Sequence, residues 1–256
     1  MANAIDILSY LPNSFKTRDE QDYINFLWES YESNYSNGKY QFSFLAFHLL
    51  FMSYCYFQIW KIYNTHSEDF VKSLLGFERL DEIIQKIEEL NVANKAENRP
   101  LEQLYPFSLS EVNESTVMNF FKLIGCDKSK IGKYKKIVKD RNEIAHANGK
   151  MVFVSDRDLD AKINDMIRLV EEIYNHSKSV LELFFKNFLI SSKDPENREY
   201  FDEQDQLREV LIYGNYLSQK DIEHLLIFDI TQLSAETNYT EMETLFNAFK
   251  TEYAIT

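Results

Sequence analysis

The chain has 256 residues, 28 Lys and Arg against 41 Asp and Glu, and a formal charge of −13. Six Gly and four Pro are few breakers, which disfavours a loop-rich β-sandwich, and two Cys exclude a disulfide scaffold and a four-Cys zinc site. The acidity argues, at first sight, against a nucleic-acid partner.

Met1 to Tyr10 holds Asp6 and no basic residue, so it does not read as a secretory signal, and a cytoplasmic setting is expected. Asp19 to Tyr31 is an amphipathic helix closed by Ser36-Asn37-Gly38. Gln41 to Trp60 contains no Asp, Glu, Lys or Arg. Its length suits a membrane span. Its polar and aromatic content, and the lack of a second such run, fit the buried central helix of an all-helical domain better. Arg79 to Leu90 places Leu80, Ile83, Ile84, Ile87 and Leu90 at helical spacing. Asn91 to Pro106 reads as a connection. Ser110 to Ile124 reads as a helix ended by Gly125, and Lys133 to Asn148 as a helix ended by Gly149.

Ser155 and Asp158 form a capping-box pattern ahead of a long helix. From Leu159 to Phe188 apolar residues recur at threes and fours, and Ser191-Ser192-Lys193-Asp194-Pro195 supplies the stop. Beyond it the chain is acidic and reads as two or three shorter helices. Ile227 to Leu233 has strand character but no evident partner strand. The expected class is all-α: a helical domain over 1–192 and an acidic helical extension over 193–256, packed on the first.

One segment departs from the overall charge. Lys128 to Arg141 holds seven basic residues and one acid, Asp140; the remaining 242 residues then hold −19. Such concentration is the electrostatic footprint of a phosphate-bearing partner. A solvated helix face with Lys stems over apolar surface is the plainer alternative. The stripe runs into Arg141-Asn142-Glu143-Ile144-Ala145-His146. Asn142 and His146 are four apart and share a face, so the amide can fix the imidazole tautomer. Arg141 lies about 140° round the helix from His146, but its length and the nearby helix end let the two converge. Arg offers a planar fork of donors to a phosphate, and His exchanges protons near neutrality. The pair suits RNA cleavage by attack of the 2′-hydroxyl on the adjacent phosphate, with no metal and no cofactor. One His cannot easily serve both ends of an in-line displacement, so two chains related by a two-fold axis form the natural unit.

The segment RNEIAHANG, ending a helix and followed by a long one, resembles the R-x4–6-H motif, with its polar residue after Arg, of the HEPN superfamily. The resemblance covers about residues 1–190. It implies a helical bundle that dimerises with the motif at the interface, and a metal-independent endoribonuclease of antiviral-defence or toxin systems. It assigns Arg141 and His146 as catalytic and Asn142 as the supporting polar residue. Lys133, Lys135, Lys136 and Lys139 would then grip the RNA backbone, and an inhibitory or activating protein partner is compatible with such systems. The alternative is a non-catalytic helical module of the same kind, binding RNA, a nucleotide or a protein.

The other candidates carry plainer readings. His48 reads as a core histidine that lines a cleft only if its helix packs beside Arg141, and His176 as exposed. His66 and His224 sit beside acids without zinc-ligand spacing. Asp156, Asp158 and Asp160 are acids favoured at a helix N-terminus. Cys55 and Cys126 have no evident His partner. No phosphate-loop, dinucleotide-binding or serine-hydrolase motif is present.

Overall fold

A computed structural model of the chain describes residues 4–146 and 151–254, and every regular element among them is helical. After a short turn of 3-10 helix at Ala4–Tyr10, Thr17 starts α1 (Arg18–Ser36). The Thr17 hydroxyl accepts from Glu20 N and the Glu20 carboxylate accepts from Thr17 N, which satisfies two of the donors a helix start leaves open. Gly38, at φ 68°, turns the chain into α2 (Tyr40–Thr65). Among the described residues α2 is the one helix long and apolar enough to cross a membrane, yet 83% of its most apolar window is covered by the rest of the protein. Phe44, Met52, Trp60, Phe57 and Phe47 are all buried and, at about 100° of rotation per residue, are spread right round it. It packs between α1 and later helices as the axis of the bundle.

α3 (Ser67–Lys72) and α4 (Glu78–Ala96) follow. α4 runs past Leu90 to Ala96, so the expected connection is shorter than the sequence suggests; it is sewn to α2 where the Trp60 indole N–H donates to the Leu104 carbonyl at 2.5 Å. The helix expected over 110–124 is broken into a 3-10 turn at Pro106–Glu111, α5 (Glu114–Val117) and a 3-10 run at Met118–Ile124. Gly125, at φ 80°, closes it, with Cys126 N donating to Phe121 O at 3.1 Å. That left-handed backbone is why Gly stands there. α6 (Lys128–Ala145) begins five residues before Lys133 because the Asp127 side chain caps it, accepting from Lys130 N at 2.9 Å. Gly149, the expected end signal, falls outside the described residues.

α7 (Asp156–Ser191) is 36 residues, about 54 Å, starting at the Ser155 cap. Two hydrophobic clusters share it: the first gathers α1 to α6 and α7 as far as Val180, the second starts at Leu181 and takes in most of the C-terminal segment. The change of partners thus falls inside α7, ahead of Pro195. The segment continues through α8 (Glu203–Asp205), a π-helical turn at Gln206–Ile212, α9 (Gln219–Leu225) and α10 (Tyr239–Tyr253). The stretch with strand character is a turn and a 3-10 helix at Ile230–Leu233, capped by Asp229, whose carboxylate accepts from Thr231 N. With no neighbouring edge to pair with, a short apolar run folds locally.

The C-terminal segment is anchored on α1, α2, α7 and the N-terminal turn. Lys61 pairs with Asp221, both buried; the Tyr216 hydroxyl donates to Glu20 at 2.7 Å; Asn13 N donates to Leu217 O at 3.0 Å; and the Tyr174 hydroxyl donates to the Lys220 carbonyl.

Candidate functional site on the wall of helix α2

Ile131, Tyr134, Ile137 and Val138 bury one face of α6 against the bundle, so the motif at its end is held by packing. Arg141 lies on the flank of that face and is half-buried. Its Nη2 pairs with Glu114 Oε2, and the same oxygen accepts from His48 Nε2 at 3.1 Å. Three residues separated by 66 and 27 positions thus form one cluster: His48 on α2, Glu114 at the first position of α5, and Arg141 on α6. Asn113 fixes the start of α5 by accepting from Ser115 N and Thr116 N, and so sets where the Glu114 carboxylate points.

Burial acts to raise the Glu114 pKa, but the hydrogen bonds from His48 and Arg141 outweigh it and hold it at about 2. Glu114 is therefore an ionised acceptor throughout the ordinary pH range. Burial lowers the His48 pKa, against the pull of Glu114. The ring is neutral: Nε2–H donates to Glu114, and Nδ1 is buried with no partner. His48 is thus the core histidine that the sequence suggests, although its helix does pack beside Arg141, and Glu114 is the link that the sequence does not announce. Of the Arg141 donors, Nη2 is committed to Glu114, and Nε is buried with no partner among the described residues.

Both depressed pKa values act on stability in the same direction. The unfolded chain regains an ordinary imidazole near 6.5 and an ordinary carboxyl near 4.5. Stability is thus full above pH 6.5; it declines first as the unfolded state takes up the His48 proton, then from 4.5 towards 2 as it takes up that of Glu114. His48→Gln should flatten the first stage by up to about 1.4 kcal/mol per pH unit, the value of one proton. Urea titrations between pH 5 and 7 read it; equal slopes in parent and variant would refute the neutral, buried assignment.

His146 is exposed and caps the C-terminus of α6 in extended conformation, φ −83° and ψ 143°. Its backbone N–H donates to the Asn142 carbonyl at 3.2 Å, so the tie between these two residues runs through the main chain. The ring lines a 440 Å³ groove with Gly38, Gln41, Phe42, Leu45 and Ile144. Glu114, on the Arg141 side, lines a 350 Å³ pocket with Leu49, Met52 and Tyr56. Gln41, Leu45, Leu49, Met52 and Tyr56 follow one face of α2 at helical spacing. His146, the Arg141 cluster and the aromatic pocket therefore lie along one helix wall.

The four lysines divide. By the helical rotation of about 100° per residue, they sit roughly 80–160° round α6 from Arg141. Lys133 and Lys136 line a 360 Å³ groove between α6 and α7 with Lys162 and Arg168. In it Lys133 lies 3.9 Å from Glu172, and Lys162 pairs with Asp140. Lys139 is exposed and 4.0 Å from Glu143, and Lys135 is half-buried.

His176, expected to be exposed, is half-buried. Its Nδ1 donates to the Ile124 carbonyl at 3.1 Å, leaving Nε2 to accept from Lys130 at 2.5 Å. His224 pairs with Glu182 at 2.8 Å, and Asp160 accepts from the Tyr35 hydroxyl at 3.1 Å, tying α7 to α1. Among the described residues no three His, Cys, Asp or Glu side chains converge as metal ligands. Compared with protein-family models, with curated proteins and with solved structures, the chain finds no match, so the resemblance to HEPN proteins rests on the motif and its setting.

Proposed function

We propose that the protein is a metal-independent endoribonuclease of the HEPN kind. Arg141 and His146 are its catalytic residues, Asn142 supports them, and the biological setting is cytoplasmic antiviral defence or a toxin system. The observation that carries this reading is the placement of Arg141. It is a cation fixed by Glu114 and His48 rather than free in solvent, on the same helix wall as an exposed His at a helix end. A positioned guanidinium stabilises the charge that develops on a phosphorane, and an exposed imidazole exchanges the protons of the attacking and leaving oxygens.

The buried, neutral His48 cannot reach substrate, so it does not supply the second proton-transfer group. A second His146, from a partner chain, does. Around His146 the surface is apolar: Phe42 is 60% and Met151 72% exposed, which fits burial against another copy. The groove holding Lys133 and Lys136 then serves the RNA backbone away from the cleaved bond. The second reading, a binding module without turnover, is favoured by one observation: Glu114 neutralises Arg141 in the free protein.

Cleavage decides between them. Purified protein incubated with single-stranded RNA in excess chelator should produce fragments ending in a 2′,3′-cyclic phosphate, identified by mass spectrometry. Loss of cutting in chelator, or a 3′-hydroxyl product, contradicts the mechanism; binding without any cutting supports the module.

A further inference from the structure

The pocket that Glu114 lines with Leu49 and Tyr56 has its own chemistry. At 350 Å³ it is at the small end of the range for ligand sites, about 300–1,000 Å³. Its walls are aromatic. Phe107 is met edge-on by Tyr23, ring centroids 5.5 Å apart at 88°, and at a tilt by Tyr105, 5.6 Å and 49°. Tyr23 and Tyr105 are 38% and 43% exposed, so they flank the mouth with ring surface open to a planar guest. Tyr56 closes the inner side. The charged groups are all carboxylates: Asp19, Glu20 and Glu114, with no Lys or Arg in the lining. Glu20 is spent on Thr17 and Tyr216. Glu114 takes His48 and Arg141 on Oε2 and is one of the lining residues of the pocket.

Such a lining excludes a phosphate and selects a flat ring that brings N–H donors. We propose that this pocket takes an unpaired guanine, stacked at Tyr23 and Tyr105 and read through its N–H edge by Asp19 and Glu114. An ionised carboxylate only accepts. Guanine alone among the four RNA bases presents two adjacent donors on its pairing edge, N1–H and N2–H. Adenine and cytosine set a ring-nitrogen acceptor beside their amino group, and uracil flanks N3–H with two carbonyls, so each would turn a lone pair towards a carboxylate. Stacking is tolerant of base identity and supplies affinity; the carboxylates supply the choice. The proposal rests on the ribonuclease reading for its consequence: because Arg141 pairs with Glu114, a lining residue of the pocket, a guanine held here lies next to the cleaved phosphate.

The test uses the full chain and fluorescein-labelled tetranucleotides that lack 2′-hydroxyls and so cannot be cleaved. Each carries a single guanine, inosine or adenine among uracils, and anisotropy reports binding. Guanine should bind at least about tenfold more tightly than adenine, with inosine, which lacks the N2 donors, between them. Asp19→Asn should shrink the guanine-to-adenine ratio to about threefold or less. Tyr105→Ala should weaken every oligonucleotide about fivefold or more and keep the ratio. Both side chains are exposed, and unchanged thermal melts verify the fold. Guanosine monophosphate binding as tightly as the guanine oligonucleotide identifies the natural guest as a free nucleotide; weaker binding identifies it as RNA. Equal affinity for guanine and adenine overturns the proposal. RNA cutting at all bases alike, unaffected by Asp19→Asn and Tyr105→Ala, overturns it while leaving the ribonuclease intact. Guanine selectivity without any cutting does the reverse.

Discussion

Alanine at His146 should abolish RNA cleavage, a loss of about 10²–10⁴-fold for a single proton-transfer group, and leave unfolding unchanged. The separation is possible because the ring is exposed and the residue's structural tie is its backbone N–H to Asn142, which alanine keeps. Arg141→Ala should lose cleavage to a similar degree, but for a second reason it should also cost stability. It strips the paired cation from a half-buried carboxylate, one oxygen of which is shared with a buried neutral imidazole. A desolvated charge left with one partner of two costs about 1–3 kcal/mol. Arg141→Lys distinguishes the two roles. An ammonium restores part of the attraction to Glu114 but lacks the planar fork for a phosphate. The Lys variant should therefore recover stability without recovering cleavage. Initial rates on a fluorescent single-stranded RNA, set beside urea midpoints, give both readouts. If His146→Ala cuts as fast as the parent, His146 is not catalytic and the mechanism falls.

The helices were legible where their signals are local. Few glycines and prolines, the apolar spacing from Leu159 to Phe188, the Ser155 cap and the charge-free run of α2 each report on neighbours within a turn or two, and those elements formed. The errors share a cause. The segment 110–124 has helical spacing but three backbone regimes, because Asn113 restarts the chain in mid-segment and the 3-10 run that follows bends to close on Gly125. The stretch at Ile227 has strand composition, and a strand exists only with a partner edge. Both outcomes depend on what surrounds the segment rather than on what it contains.

The site was legible in halves. The basic stripe and the Arg141–His146 spacing lie within one stretch of chain, so pattern alone exposes them. Glu114 does not show itself. An acid at the first position of a short helix is favoured there whatever its function. His48 stands in a run of rings where a core role is the ordinary reading. What joins them to Arg141 is the crossing of α2, α5 and α6, and no spacing rule reaches across 66 or 27 residues. The lysines show the opposite failure. A charge run in sequence is spread by helix rotation, so Lys133 and Lys136 meet α7 while Lys135 and Lys139 turn elsewhere.

Asp221→Ala should destabilise the protein by about 3–5 kcal/mol, a large share of a typical folding free energy of about 5–15 kcal/mol. Asp221 is fully buried and does two jobs at once. Its carboxylate pairs with Lys61, itself only 9% exposed, and Oδ2 accepts from Ser218 N at 2.9 Å to complete the capping box of α9. Alanine leaves the Lys61 ammonium in the core of α2 with no counter-charge. Lys61→Met alone strands the other partner, leaving the buried Asp221 carboxylate with only the cap of α9 to hold it, and should cost a comparable amount. In the double variant, Lys61→Met should recover part of the loss, with a coupling of about 1–3 kcal/mol between the two sites. Urea unfolding of the four proteins at pH 7 gives the cycle; additivity within about 0.5 kcal/mol would show that the ion pair contributes nothing beyond its parts. The location of the damage tests the architecture as well. The pair ties α9 to the helix that walls the candidate site, and the second hydrophobic cluster lies beyond it. Hydrogen exchange in Asp221→Ala should therefore rise first over residues 216–253, while α1 and α2 keep their protection. If exchange rises uniformly, the C-terminal segment and the main bundle unfold as one unit.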